Sequence, residues 1–316
     1  MNKIAYFVLN NFVWTLIVIV YVVLGVLSPF FFTTANFENI LIQMVGLGTM
    51  ALGLTFVLVV GEIDLSVTSV GAAGALLGTY SIKVFGVPVF LGIIMILLFG
   101  AAVGAYNGFL ARIVGVPSLI ATLSTDFMLR GGLMAAMHGQ TYSGFPREYV
   151  WIGTQSILGV GTVYITYILL ILLVYVVLRH TVFGIRLFLV GANRESALLA
   201  GIREKRMGWL AFVISGTFAG MAGFLLSSRL NVVTPIFMEA MLLPVIAAPV
   251  IGGISLFGGE GKIQGVVAGT FLLQTISTGL IVVGVNAYIL QAVSGMIIGI
   301  AAAFDALKRY YIYRAG

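Results

Sequence analysis

Two acids stand two residues apart in Gly61-Glu62-Ile63-Asp64-Leu65-Ser66, and they are the only charges between Glu38 and Lys83. Carboxylates set in so apolar a stretch can hold a cation, pair with a basic side chain or cap a helix. At membrane depth such residues mark a pathway or an ion pair. Asp64 followed by Ser66 reads either as the cap of the next helix or as part of a pathway. Glu62 reads either as an interfacial loop residue or as a pathway acid. A second polar group comprises Thr122, Ser124, Thr125 and Asp126, with Arg130 after it. Asp126 and Arg130 are four apart, which puts them on one helix face at pairing distance. They form either a structural ion pair or a contact for a polar solute. Asn107, Gln274, Asn286 and Gln291 are amides able to bridge helices.

Other chemistries are missing. Gly258-Gly259-Glu260-Gly261-Lys262 runs into Ile263, and Leu256 stands where a phosphate-binding loop needs its first glycine. His138 and His180 are the only histidines and no His-Glu-x-x-His occurs, so a zinc protease is excluded. With zero cysteines there is no thiolate metal site, disulfide scaffold or Cys nucleophile. No serine has a plausible base beside it. The expectation is a non-enzyme with no metal and no cofactor of its own.

The elements that must position these residues follow from composition. Of 316 residues, 61% are hydrophobic and 8% charged, with a mean hydropathy of +1.16. A soluble domain carries roughly 25% charged residues, so this is an integral membrane protein. Its net charge of +6 reflects loop charge on one side of a membrane, not a nucleic-acid partner. Continuously apolar runs such as Ile17–Leu27 and Ile168–Leu178 are helical and not barrel-like. The expected fold is all-α and polytopic, with about ten spans near 10–29, 39–60, 66–82, 88–111, 118–137, 163–179, 208–228, 241–257, 263–283 and 286–304. The first run is too long for a signal peptide and has no small-residue cleavage site, so it reads as a retained helix. Ten spans place both termini on one side, and twelve of the 16 basic residues then fall there, which makes that side cytoplasmic.

Glycines recur in small-residue spacing at Gly74/Gly78, Gly100/Gly104/Gly108, Gly216/Gly220, Gly265/Gly269 and Gly295/Gly299, the pattern of helices packed in lipid. Residues 180–206 form a connection far longer than the roughly 2–8 residues usual between bundled helices. Within it, Asn193 suits an N-cap, Glu195 a first turn, Ala197-Leu198-Leu199-Ala200 a helix and Gly201 its stop. This short helix is either a membrane-surface element or a docking element for a cytoplasmic partner. Ile251-Gly252-Gly253-Ile254-Ser255-Leu256 echoes the 61–66 segment, as duplicated transporter halves do. The opposite loop, His138 to Thr162, is long enough for a gate or a partner surface.

Taken together, Gly61-Glu62-Ile63-Asp64-Leu65-Ser66 with Val67-Thr68-Ser69, Asn107-Gly108 with Pro117, Thr122-Leu123-Ser124-Thr125 before Arg130-Gly131, Gly191-Ala192-Asn193-Arg194-Glu195-Ser196-Ala197 through Gly201-Ile202, and Ile251-Gly252-Gly253-Ile254-Ser255-Leu256-Phe257-Gly258-Gly259 resemble a known family. It is that of the permease subunits of bacterial ribose/xylose/galactose-type ABC importers, a branched group that includes autoinducer-2 importers. The resemblance runs nearly end to end. Departures are Glu62, Thr68 and Ser124, each where the family has glycine, and the added charge of Asp126.

The resemblance implies a single permease domain over 1–316 in the bacterial inner membrane, with residues 180–206 as the ATPase-coupling loop. It implies a cytoplasmic ABC ATPase that binds ATP and Mg, a second permease copy or paralogue, an external solute-binding protein, and a small polar solute such as a monosaccharide. Coupling would fall on Gly191, Asn193, Arg194, Glu195, Ala197 and Gly201. The translocation path would draw on Glu62, Asp64, Ser66, Asn107, Thr122, Thr125, Asp126 and Arg130. The competing reading is an ATP-independent carrier or channel, for which Glu62, Asp64 and Asp126 would be the titratable groups.

Overall fold

The computed structural model describes residues 12–286 continuously and positions 289, 292, 295, 296 and 299 beyond them. The expected last span, 286–304, lies outside the continuously described residues. The chain opens with α1 (Phe12–Leu27), α2 (Thr34–Val59), α3 (Val67–Phe85), α4 (Val89–Gly108) and α5 (Ser118–Met137). A short α6 (Arg147–Thr154) precedes α7 (Thr162–His180), α8 (Val182–Ala192) and α9 (Arg194–Leu199). The chain continues through α10 (Glu204–Leu230), α11 (Leu242–Ile251) and α12 (Ile263–Val282). Two antiparallel ribbons complete the described part: β1 (Tyr142–Ser143) pairs with β4 (Val232–Val233), and β2 (Ser156–Ile157) with β3 (Val160–Gly161).

Among the described residues, Thr34–Val59, Val89–Val114, Thr162–His180, Glu204–Leu230 and Ile263–Val282 are long and apolar enough to cross a membrane. The protein is therefore a mostly helical, polytopic membrane protein. Helices α3 and α5, of 19 and 20 residues, have spanning length but a more polar content. Most of their polar side chains, among them Thr68, Ser69, Thr79, Thr122, Thr125 and Asp126, are buried in the bundle.

The expected span 241–257 contains a helix of only 10 residues, α11. At 1.5 Å per residue this is ~15 Å, about half of the ~30 Å hydrocarbon depth. Pro249 lies inside it, and the Gly252-Gly253 turn ends it. The segment 180–206 is more helical than expected. Thr181 caps α8 by accepting the Gly184 N–H, and Asn193 caps α9 by accepting the Ser196 N–H at 2.9 Å. Gly201, at φ +75°, ends that short helix as its sequence predicts.

Helix α10 lies at the centre, packed on α4, α2, α3 and α6. Its most extensive crossing is with α4. A Cβ on Gly100 would overlap the Gly216 carbonyl, one on Gly216 would overlap the Gly100 carbonyl, and one on Gly104 would overlap the Phe212 carbonyl. Trp209 Nε1–H donates to the Ala105 carbonyl at 3.0 Å across the same crossing. The close contact needs glycine because backbones here touch backbones. Away from the centre, large apolar side chains such as Val22, Val26, Leu169 and Leu173 point outward, a surface that suits lipid.

Gly216→Ala lowers stability by about 1–3 kcal/mol through overpacking of backbone against backbone. Gly132→Ala in α5, which meets nothing within 4 Å, changes it by less than ~0.5 kcal/mol. Thermal unfolding in detergent checks both.

Candidate functional site

The site begins with the turn between α2 and α3. Gly61, at φ +74°, takes a left-handed conformation that reverses the chain, and Glu62 and Asp64 then leave the turn in different directions. Asp64 is 1% exposed. Its Oδ1 accepts the Ser66 N–H at 3.0 Å and the Ser66 hydroxyl at 2.7 Å, and its Oδ2 accepts the Ser215 hydroxyl at 2.9 Å. A buried carboxylate left without donors would cost several kcal/mol, and these three hydrogen bonds offset that cost.

The network extends through two further helices. Asn107 Nδ2 of α4 donates to Ser66 Oγ at 2.8 Å, and Asn107 Oδ1 accepts the Thr125 hydroxyl of α5 at 2.6 Å. The first turns of α5 also hold the turn's backbone. Leu65 N–H donates to Thr122 Oγ1 at 3.1 Å, and Ile63 N–H to Ser118 Oγ at 3.3 Å. One turn further along α5, Arg130 Nε donates to Asp126 Oδ2 at 3.0 Å, and Arg130 Nη2 to Thr68 Oγ1 of α3 at 2.7 Å. Asp126 Oδ1 is buried with no partner among the described residues. Polar groups of the 61–66 turn, α3, α4, α5 and α10 thus form one buried cluster.

Glu62 belongs to a different cluster. Its Oε1 accepts from Arg112 Nη1 at 2.6 Å and from Arg194 Nη2 at 2.7 Å. Arg112 lies in Phe109–Val114, where α4 loosens into a π-helical end, and its side chain is 4% exposed. That guanidinium also pairs with Glu204, the first residue of α10. Arg194, the first residue of α9, is half exposed. These side chains line one wall of a groove of about 480 Å³ that also includes Ser118 and Glu195.

Sequence reasoning placed Asp64, Ser66, Asn107, Thr122, Thr125, Asp126 and Arg130 in one group, and the fold brings them together. Glu62 leaves that group for the arginine cluster. Of the loop residues, Arg194 reaches Glu62, Glu195 lines the groove, and Ala197 is buried. Gly191 lies on α8, where a Cβ would overlap the Val59 carbonyl and crowd Gly259. The echoing segment, residues 251–261, packs on the turn itself: Gly259 N–H donates to the Val59 carbonyl at 2.9 Å. Ser215, Ser118, Arg112 and Glu204 escaped the sequence reading. Ser215 sits in a small-residue run with no distinguishing pattern. Arg112 carries a signal only as a basic residue at a helix end.

Asn107→Ala removes the donor to Ser66 and the acceptor for Thr125 together. It destabilises the protein by about 1–3 kcal/mol. Adding Thr125→Val, which removes the hydroxyl that donated to Asn107, costs less in that background than in the wild type. Melting temperatures of the two single variants and the double variant check this.

Comparisons with known proteins identify the family. Residues 36–302 match the family described as branched-chain amino acid transport system / permease component. The ribose import permease protein RbsC of Bacillus subtilis (strain 168) is 34% identical over 292 residues, covering 92% of this chain and 90% of its own. The D-allose transport system permease protein AlsC of Escherichia coli (strain K12) is 33% identical, covering 92% and 90%. The L-arabinose ABC transporter permease protein AraH of Azospirillum brasilense is 32% identical, covering 92% and 86%. No solved structure matches. With a family match over most of its length and relatives aligned nearly end to end, the chain belongs to the branched-chain amino acid transport system / permease component family.

Proposed function

We propose that this chain is the transmembrane permease subunit of an ATP-binding cassette importer, and that it carries a monosaccharide across the bacterial inner membrane by alternating access. The observation that carries this reading is its near full-length similarity to import permeases for ribose, arabinose and allose. On the same grounds the assembly contains a second permease copy or paralogue, a cytoplasmic ATPase and an external solute-binding protein. ATP and its magnesium are then handled by the ATPase.

Charge supports the orientation. The end of the bundle that carries α9 and the 61–66 turn also holds Arg112, Arg179, Arg186, Arg194, Arg203, Lys205, Arg206 and Lys262. Lys83, Arg147 and Arg229 lie toward the other end. In this reading the basic end is cytoplasmic, as are both termini of a chain of about ten spans. Leu198 and Leu199 of α9 are exposed, Leu199 at 90%. A capped short helix presenting apolar side chains beside charged ones suits seating in a cleft of the ATPase. The external loop carries a helix anchored by Tyr149, whose hydroxyl lies 2.6 Å from Ser227 Oγ. Beyond it the ribbon tip exposes Ile157, Leu158 and Val160 to the solute-binding protein.

The path for the solute follows α5. Its outward face carries Ser124, Phe127, Met128, Gly131 and Gly132, and Asp126 and Arg130 border that face from within. Asp64, Ser66, Asn107, Thr122 and Thr125 support it from behind. Of the three acids that a carrier would use, Glu62 and Asp126 each pair with an arginine, and Asp64 accepts from the hydroxyls of Ser66 and Ser215.

Replacing Asn193–Gly201 with a Gly/Ser linker leaves the protein in the membrane and lowers solute uptake at least tenfold while ATP hydrolysis by the assembly continues. Vesicle uptake alongside phosphate release measures both. Wild-type uptake by such a variant overturns the docking role of α9.

A further inference from the structure

We infer that Glu62 and Arg194 form a releasable strut that transmits displacement of α9 to the 61–66 turn, and that Arg112 with Glu204 is its fixed abutment. The inference rests on the docking role proposed for α9 and adds the internal route by which its movement reaches the path.

The two halves of the charged cluster are built differently. Arg112 is buried, emerges from the π-helical end of α4, lies against Gly208 and pairs with both Glu62 and Glu204. A buried guanidinium between two carboxylates keeps its place, since leaving would strand charge in a low-dielectric interior. Arg194 touches the cluster only through Glu62 Oε1 at 2.7 Å and is half exposed, so water can replace that contact. If it leaves, Glu62 still has Arg112. The strut can therefore break and remake without leaving a buried charge unpaired.

The turn to which the strut connects is held by hydrogen bonds to the rest of the path. Glu62 is two residues from Asp64, and the intervening Ile63 N–H donates to Ser118 at the start of α5. Asp64 in turn contacts Ser66 and Ser215, and through Ser66 it reaches Asn107 and Thr125. A second contact couples the same partners by shape. The last residues of α8, just before α9, are packed against the turn and its neighbour: a Cβ on Gly191 would overlap Val59, and one on Gly259 would crowd Ala192. A shift of α8–α9 thus reaches the turn by packing, and the sign of the charge pair fixes the register in which it arrives. Glu62 and Arg194 act as positioning residues and need not touch solute.

The test is a double-mutant cycle in the intact importer, with Glu62→Gln, Arg194→Gln and the double variant. It reads ATP hydrolysed per solute imported. Allosteric couplings commonly amount to fivefold or more. Each single variant is expected to raise the ratio about fivefold at unchanged assembly, with the double no worse than either. Arg194→Lys, which keeps the charge, restores most of the coupling.

Additive effects, or a Glu62→Gln variant with the wild-type ratio, overturn the strut. Assembly is read separately by co-purification of the ATPase. Failure of the strut differs from failure of the docking role: in the first case the linker variant of Asn193–Gly201 is still uncoupled, and in the second it transports normally.

Discussion

The close crossing of α4 and α10 is the contact on which the rest of the site depends. Lipid gives two apolar helices little reason to associate, so their approach rests on backbone contact, and backbone contact requires Gly100, Gly104 and Gly216. That approach has a polar consequence. It sets Asn107 on α4 and Ser215 on α10 close enough for both to reach the same turn, one through Ser66 and the other through Asp64 itself. Move the helices apart by the width of a methyl group and one of these hydrogen bonds is lost. Loss of the Ser215 bond takes a donor from the buried carboxylate, and loss of the Asn107 bond releases the Ser66 hydroxyl that holds it.

The turn is shaped by a second set of glycines that meet from three parts of the sequence. Gly61 reverses the chain, Gly191 ends α8 against Val59, and Gly258 and Gly259 bring the 252–262 segment onto both. The resemblance between residues 61–66 and 251–256 therefore has a spatial counterpart, because Phe257, Gly258 and Gly259, which follow the second segment, pack on Val59 and Gly61 at the first. A junction made of backbone is stiff, and it confines motion of the turn to what α8 and α12 permit.

Much of this was legible in the sequence because membrane depth makes polar residues conspicuous. Asp64, Asn107, Thr125, Asp126 and Arg130 stand out against apolar neighbours, and the i, i+4 spacing of Asp126 and Arg130 corresponds to a pair at 3.0 Å. The small helix 194–199 was readable from Asn193 and Gly201, its two ends. Two kinds of feature were not readable. One is partnership between distant segments: nothing local distinguishes Ser215 from other small residues in α10, and nothing in Glu62 reveals Arg112 or Arg194 as its partner. The other is helix length where apolar composition continues past the helix. Residues 241–257 are apolar enough to span, and only Pro249 with Gly252 and Gly253 cut the helix to α11. The helix α8 was hidden for the opposite reason, because Arg179, Arg186 and Arg194 gave its surroundings the appearance of a loop.

Two acids in one turn, two residues apart, are stabilised in opposite ways, and the difference follows from what each must do. Asp64 is surrounded by neutral donors, which fix its position without adding charge to the interior. Removing any one leaves part of a buried charge unsatisfied, so the group holds its geometry closely. Glu62 is held by arginines of unequal burial. Breaking the buried pair with Arg112 by removing one partner is worth about 3–5 kcal/mol, whereas an exposed pair such as that with Arg194 contributes about 0–1 kcal/mol. The weaker joint gives first. Displacement of α9 therefore passes to the turn while the Arg194 pair holds, and a larger force breaks that pair before it disturbs Arg112 or the hydroxyls around Asp64. A turn meant to move as one piece needs that order of strengths: rigid toward the bundle and yielding toward the surface.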